Sequence, residues 1–289
     1  MTKIQTISIQ EKGYPEILKK IKNPPSLLYF QGKILEKEKC FAVVGSRKCS
    51  PYGKEATFRI VSELALAGLT IVSGLAPGID TIAHKTALEL KKRTIAVLGT
   101  GLEEKVIYPQ ENLTLARKIV NQGGLLLSEY PPFTHGSKFT FPARNRLISG
   151  ISLGVVIVEA DLKSGALITA QWAKQQKRKI FAVPGSIYSR LSQGPHFLIK
   201  QGAILVENGQ DILKVLGLKI KTKEKSKEKE AEDEESKLIL KVLEKGAQNI
   251  NQIIEATRLA PKKVISLLSL MEIEGKVKNL GNNTFILNS

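Results

Sequence analysis

Between Cys40 and Gly217, short apolar runs alternate with amphipathic stretches. The runs are Phe41–Val44, Thr70–Val72, Ile95–Leu98, Leu125–Leu127, Val155–Val158, Ile180–Val183 and Ile204–Val206. Most are apolar throughout, a pattern that predicts strands covered on both faces. Helical periodicity fills the gaps, as in Ala56–Leu66, Ala83–Leu90, Leu113–Val120 and Ala166–Lys174. Strand and helix repeating in this way predict an α/β fold with a doubly wound, mostly parallel, Rossmann-like sheet over residues 39–217.

The flanks break the pattern. Residues 1–38 read as a small helical segment ending in an extended Pro24-Pro25 stretch. Residues 218–235 are a run of Lys and Glu that buries nothing, expected to be a solvated linker or a frayed helix. Residues 236–289 regain periodicity, with apolar faces at Leu238/Ile239/Val242/Leu243, at Ile250/Ile253/Ile254 and at Val264/Leu267/Leu268/Met271. Gly275 is expected to end the third helix, and Lys276–Leu287 to form a hairpin turning at Gly281-Asn282-Asn283. Three helices and a hairpin predict a winged helix.

The chain has 289 residues and a formal charge of +17, with 42% hydrophobic residues. That hydrophobic content excludes wholesale disorder. So basic a chain meets a polyanion, or carries a charge bias over its whole surface. Two cysteines exclude a disulfide scaffold and fit a reduced cytosol. The first residues lack an apolar leader core, and no apolar run nears the roughly 20 residues of a membrane span. A cytoplasmic protein without membrane contact is expected.

Candidate chemistry gathers where strands end, since ligands of open parallel sheets bind there. Gly45-Ser46-Arg47 follows the first run and Ser73-Gly74 the second, leading to Pro77-Gly78-Ile79-Asp80. Glu159, Asp161 and Ser164-Gly165-Ala166 follow the fifth, and Pro184-Gly185-Ser186 the sixth. Glycine admits close approach, helix N-termini offer free amides to anions, and Arg47 supplies a fork suited to phosphate. In Gly136–Arg146, cations alternate with aromatics: Lys138, Phe139, Phe141, Arg144 and Arg146, with Asn145 between the arginines. Cations neutralise phosphates and rings stack on unpaired bases, so the mixture points to single strands. Alternatively, Phe139 or Phe141 is core and an arginine pairs with Glu159.

Several chemistries find no support. There is no GxxxxGK[ST] phosphate loop, no GxGxxG and no nucleophile elbow. Cys40, Cys49, His84, His135 and His196 lack metal-ligand spacing. His84 and His135 are conceivable general bases, with a helix face and a loop as their plainer roles. No metal, cofactor or catalytic residue is expected.

The motifs GSR, SGLAPGIDTIAH, SEYPP, FPARNRLISGIS, VEADLKSGALITA, AVPGS and QGPHFLIKQGA, in this order, resemble the DprA/Smf family of bacterial DNA-processing proteins from Tyr14 to about Leu216. The resemblance implies an extended Rossmann-like domain that binds single-stranded DNA in natural transformation, protects it and loads the RecA recombinase, as a non-catalytic homodimer. It implies a phosphate-binding turn at Gly45, Ser46 and Arg47, a phosphate-contacting Lys138 and a base-contacting Phe141. Arg144, Asn145 and Arg146 match the family's RNR element, and Ser73-Gly74 and Ser164-Gly165 match turns lining the same pocket. The C-terminal piece resembles the winged helix of many members. Its third helix, Pro261–Glu274, carries only Lys262 and Lys263, which leaves weak duplex affinity or protein contacts as its role. A competing function is a nucleotide or nucleoside-phosphate hydrolase of the LOG/lysine-decarboxylase type, with Glu159 or Asp161 as base; its PGGxGTxxE signature is missing. A third is a duplex-reading winged-helix regulator with a small-ligand sensor.

Overall fold

The computed structural model describes residues 3–218, 225–244, 246–273 and 276–288. The chain forms two compact units, Met1–Ile220 and Lys221–Ser289.

In chain order the first unit contains β1 (Gln5–Ser8), α1 (Glu16–Lys19), β2 (Leu27–Gly32), β3 (Cys40–Val44), α2 (Pro51–Leu66), β4 (Thr70–Ser73), α3 (Ile79–Glu89) and β5 (Thr94–Val97). It continues with α4 (Leu113–Asn121), β6 (Leu125–Ser128), α5 (Thr140–Gly150), β7 (Gly154–Ile157), α6 (Gly165–Gln175), β8 (Lys179–Ala182), α7 (Gln193–Lys200), β9 (Ile204–Leu205) and α8 (Gly209–Val215). The nine strands make one sheet in the order β1-β2-β6-β5-β4-β3-β7-β8-β9. From β6 to β9 every pairing is parallel, as the apolar runs predict, and each run lies within one residue of its strand.

Strand alternation divides the core. Cys40, Ala42 and Val44 of β3 and Val155 and Ile157 of β7 face one layer, with Leu147 of α5, Ala170 of α6 and Leu198 of α7. Phe41, Val43, Val156 and Phe181 face the other, with Ile60 and Leu64 of α2, Ala83 of α3 and Ile212 of α8. The Phe41 and Phe181 rings pack at 5.7 Å between centroids.

The N-terminal 38 residues are not a helical segment. Among its described residues only the single turn of α1 is helical. The two strands β1 and β2 extend the main sheet, β2 pairing antiparallel with β6. Leu18, Leu28 and Phe30 enter the main core, and the Tyr14 hydroxyl donates to the Pro25 carbonyl (2.8 Å). A β2 partner ends the exposure of the β6 edge, which rewards strand over helix. This segment therefore belongs to the first unit.

The second unit holds α9 (Lys225–Leu243), β10 (Gln248–Asn249), α10 (Ile250–Thr257), α11 (Pro261–Ile273), β11 (Val277–Gly281) and β12 (Thr284–Leu287). Much of the expected linker is thus the first part of α9, because Lys and Glu are good helix formers. The rest of the linker, at 219–224, and Gly275 lie outside the described residues. Ile239, Ile253, Val264, Leu268, Met271 and Phe285 close a separate core. Asn282 and Asn283 both take positive φ, the backbone of a two-residue hairpin turn.

Candidate functional site

The strand order reverses beside β3: the chain adds β4, β5 and β6 outward on one side of it, then returns to its other side with β7, β8 and β9. The carboxyl ends of β3 and β7 therefore open onto the crevice where open α/β sheets bind ligands. A cleft of about 750 Å³ lies there, lined by Gly45, Ser46, Arg47, Lys48, Lys138, Phe141, Arg144, Asn145, Asp161, Lys163, Ser164, Gly165 and Arg190 among others.

The first wall is the turn after β3. Ser46 N–H donates to the Glu159 carbonyl (2.7 Å), and Ile79 N–H donates to the Ser46 carbonyl (3.1 Å). Ser46 Oγ accepts from Lys48 N–H (3.1 Å), closing a local turn. Gly78 makes this packing possible. Its φ is +76°, and an added Cβ would lie 2.2 Å from the Ser46 carbonyl oxygen. The turn thus holds Arg47 and Lys48 exposed at the cleft.

The second wall is the start of α5. Ser137 N–H donates to Thr140 Oγ1 (2.8 Å) and Thr140 N–H to Ser137 Oγ (3.2 Å), a reciprocal clasp that fixes Lys138 and Phe139 in solvent. The Lys138 ammonium lies 5.2 Å from the Phe139 ring centroid. Phe141 is half-buried in a slot against Gly99 and Gly136, with the Tyr108 ring 5.4 Å away. The Arg47 guanidinium stands 5.9 Å from the Phe141 centroid, linking the two walls by a cation–π contact.

The third wall is the start of α6. Ser164 Oγ accepts from Ala166 N–H (3.2 Å), Asn145 Nδ2 donates to the Gly165 carbonyl (3.2 Å), and the space above Gly165 is open. Beside it Asp161 holds Arg190 at 2.8 Å and accepts from Lys163 N–H (3.2 Å). Around the rim, Arg47, Lys48, Lys138, Lys163 and Arg190 face one partly exposed carboxylate, Asp161. That balance, with a helix N-terminus, favours an anion.

Two arginines of the RNR element serve elsewhere. Arg144 touches the cleft but is buried, donating to the carbonyls of Gly74 (2.9 Å) and Val97. Asp80 converges on the same point, accepting from Gly74 N–H (3.0 Å) and Ala76 N–H (3.3 Å). Burial raises the Asp80 carboxyl, with the Arg144 charge opposing. Burial lowers the Arg144 guanidinium to about 10, so it stays charged at neutral pH. Arg146 points away from the cleft, to an ion pair with Glu129, and not to Glu159. Successive helix residues point about 100° apart, so three neighbours cannot share a wall. Ser73 is buried, its hydroxyl donating to the Val43 carbonyl (2.7 Å), and Gly74 is a backbone anchor for Arg144. The cleft thus gathers Gly45, Ser46, Arg47, Lys138, Phe141, Asn145, Ser164 and Gly165, with Arg144 beneath, and leaves out Ser73, Gly74, Phe139 and Arg146 as lining.

Sequence reasoning passed over Lys48, Lys163 and Arg190 as binding cations. Lys48 and Lys163 had a signal, since each adjoins a small-residue turn; Arg190 had none, as it follows a strand end by eight residues. Of the four candidate bases, Glu159, Asp161 and His84 are engaged, Asp161 by Arg190. The buried Glu159 carboxylate accepts from Ser50 N–H (2.9 Å) and Ser50 Oγ (2.5 Å). His84 is buried on the inner face of α3, its Nδ1 2.7 Å from Thr94 Oγ1, while His135 is exposed. Among the described residues no group of three or more His, Cys, Asp or Glu could hold a metal, and no helix is long and apolar enough to cross a membrane.

Comparison with known proteins adds an independent line. Residues 5–217 match the family model for DNA recombination-mediator protein A, and residues 223–283 match that for the DprA winged helix domain. The DNA processing protein DprA of Bacillus subtilis is 44% identical over 215 residues, 74% of this chain and 71% of the relative. The DprA of Streptococcus pneumoniae is 47% identical over 212 residues, 73% of this chain and 74% of the relative. A crystal structure of the Streptococcus pneumoniae protein superposes with a TM-score of 0.68 at 46% identity, covering 73% of this chain and 74% of that one. A Helicobacter pylori DNA processing protein A, solved for its mode of binding single-stranded DNA, superposes with a TM-score of 0.64 at 34% identity, covering 73% of this chain and 95% of that one.

Proposed function

Since the chain belongs to the DprA/Smf family of DNA-processing proteins, we propose that its cleft grips single-stranded DNA without cutting it, protects the strand and delivers it to the RecA recombinase. The observation that carries this reading is Arg47 standing over Phe141 with Lys138 on the same wall. Phosphates meet Arg47, Lys48, Lys138 and Lys163, and the amides at the start of α6. A base meets Phe141. A duplex hides its base faces, so the ring favours an unpaired strand. The Helicobacter pylori relative's described ligand supports the same choice. Handing the strand to a recombinase accords with the description of the family as recombination mediators.

Binding is mainly electrostatic, so affinity falls steeply with salt. Arg47→Glu weakens oligothymidine binding about tenfold or more, for all sequences alike. Unchanged binding by that variant, or parent protein that ignores oligothymidine in dilute salt, overturns the assignment. Consumption of the oligonucleotide, or release of free base from nucleoside monophosphates, returns the hydrolase reading. Against that reading, Glu159 is spent on Ser50 and Asp161 on Arg190.

The working form is a homodimer, which light scattering of the purified chain tests. The winged helix contacts protein in preference to duplex. The exposed positions of α11 include Ile265 and Leu270 beside Lys262 and Glu272, with Lys263 held near Glu235 (3.3 Å). A duplex-reading helix needs more cations than this.

A further inference from the structure

We propose that Tyr188, on the loop after β8, is a second stacking platform that carries the single-strand site beyond the cleft. The inference rests on the single-strand reading above and adds an element to it.

Tyr188 is 93% exposed and its neighbour Ile187 is 78% exposed. Neither ring nor hydroxyl of Tyr188 has a partner among the described residues. A tip so apolar usually belongs to a slack loop, but this loop is pinned. Ser189 N–H donates to the Ser186 carbonyl (3.0 Å) and Tyr188 N–H to Ser186 Oγ (3.3 Å), which closes the turn. Below it, the Tyr52 hydroxyl donates to the Pro184 carbonyl, and His196 Nε2 lies 3.1 Å from the Gly185 carbonyl. Gly185 packs so closely on Ser192 that an added Cβ would lie 2.3 Å from its Oγ. The backbone is ordered before any ligand arrives, so a ligand pays no loop-ordering entropy to use the ring. An aromatic ring held in water on a rigid support is a binding element in search of a flat partner.

Continuity identifies that partner. Two residues on, Arg190 lines the cleft, its side chain 79% exposed and fixed by Asp161. Phosphates running from Arg47 and Lys48 past Lys163 to Arg190 deliver the next base to the Tyr188 ring. Every base offers a π-face, so the platform is indifferent to sequence and acts on length. A strand too short to reach it gains nothing from it.

The test uses the full chain and labelled oligothymidines from about 4 to about 16 nucleotides, the span of known single-strand sites. Tyr188→Ala is expected to match the parent on the shortest strand and to bind the longer ones about tenfold more weakly, the loss of one stacked base. Tyr188→Trp is expected to keep the length dependence, and the variants to melt with the parent. Equal affinities of Tyr188→Ala and parent at every length overturn the platform while leaving the cleft intact. A change in oligomeric state on Tyr188→Ala, with unchanged strand affinity, also overturns it and gives the tip to a second copy. If the parent binds no oligothymidine in dilute salt, the single-strand reading falls and the platform with it.

Discussion

The Glu159 carboxylate, buried at the end of β7, accepts both the backbone N–H of Ser50 (2.9 Å) and its hydroxyl (2.5 Å). Ser50 is in turn the N-cap of α2, its oxygen accepting from Gly53 N–H (3.1 Å). Gly53 leaves the room: a Cβ there would sit 2.1 Å from Glu159 Oε2. The carbonyl of the same Glu159 holds Ser46. One residue just past β7 therefore grips both ends of the turn that presents Arg47 and Lys48.

Glu159→Ala is expected to cost about 1–3 kcal/mol of stability, since Ser50 loses its acceptor inside the protein. Its effect on binding separates two causes. Removal of a negative charge near the cleft strengthens strand binding if charge alone matters. A slackened turn weakens it. We expect weaker binding, read from oligothymidine titrations beside a urea melt.

Gly78→Ala is expected to destabilise by more than about 1 kcal/mol, because it combines a positive φ with a clash against the Ser46 and Arg47 carbonyls. A shifted Arg47 turn accompanies it, so strand affinity falls along with the urea midpoint. A variant with parental stability contradicts the packing of Gly78 under the turn.

Acid sensitivity should trace to His84. The Thr94 hydroxyl donates to the Ile71 carbonyl (2.8 Å), so its oxygen accepts from His84 Nδ1–H, and Nε2 is buried without a partner. Burial, with the Arg144 charge adding to it, lowers the imidazole to about 3. The unfolded chain takes up a proton near pH 6.5 that the folded chain refuses, so stability is full above that value and falls as pH drops below it. Between pH 7 and pH 5 the loss from this group is about 2 kcal/mol. The raised Asp80 carboxyl acts in the opposite sense in parent and variant alike. His84→Gln should therefore flatten the pH dependence of urea unfolding relative to the parent.

Lys163 and Arg146 make opposite predictions for salt. Lys163→Ala should reduce the slope of log affinity against log salt by about 0.7, the value of one lost contact to a single strand. Arg146→Ala should leave that slope unchanged, since its partner is Glu129 away from the cleft. Its effect falls on stability, measured by thermal melting.

Arg144→Met strands the buried Asp80 carboxylate and the Gly74 and Val97 carbonyls, an expected loss of about 3–5 kcal/mol. Adding Asp80→Asn should recover part of it. Additive losses in the double variant contradict the coupling.

Much of the architecture was legible because its cause is local. A strand buried on both faces must be apolar at every position, so Phe41–Val44 and Val155–Val158 announced themselves, and the order of strands and helices followed. Glycine turns at strand ends marked Gly45, Ser164 and Gly165 for the same reason. The two N-terminal strands were hidden: Gln5–Ser8 is polar at every position but Ile7 and gains its strand identity only from pairing with β2. Helix α5 was hidden too, since its interest as a row of cations and rings masked its periodicity.

The sequence by itself determined which residue types stand near the strand ends, a balance of cations and small turns that suits an anion. Only the tertiary structure decided which of them face it. Arg144 and Arg146 are the same residue type, yet the helix turns one beneath the cleft and the other toward Glu129, with Asn145 between them on the start of α6. Direction depends on what a side chain can bury or pair with across the fold. The carbonyls of Gly74 and Val97 and the carboxylate of Glu129 lie between 17 and 70 residues away along the chain.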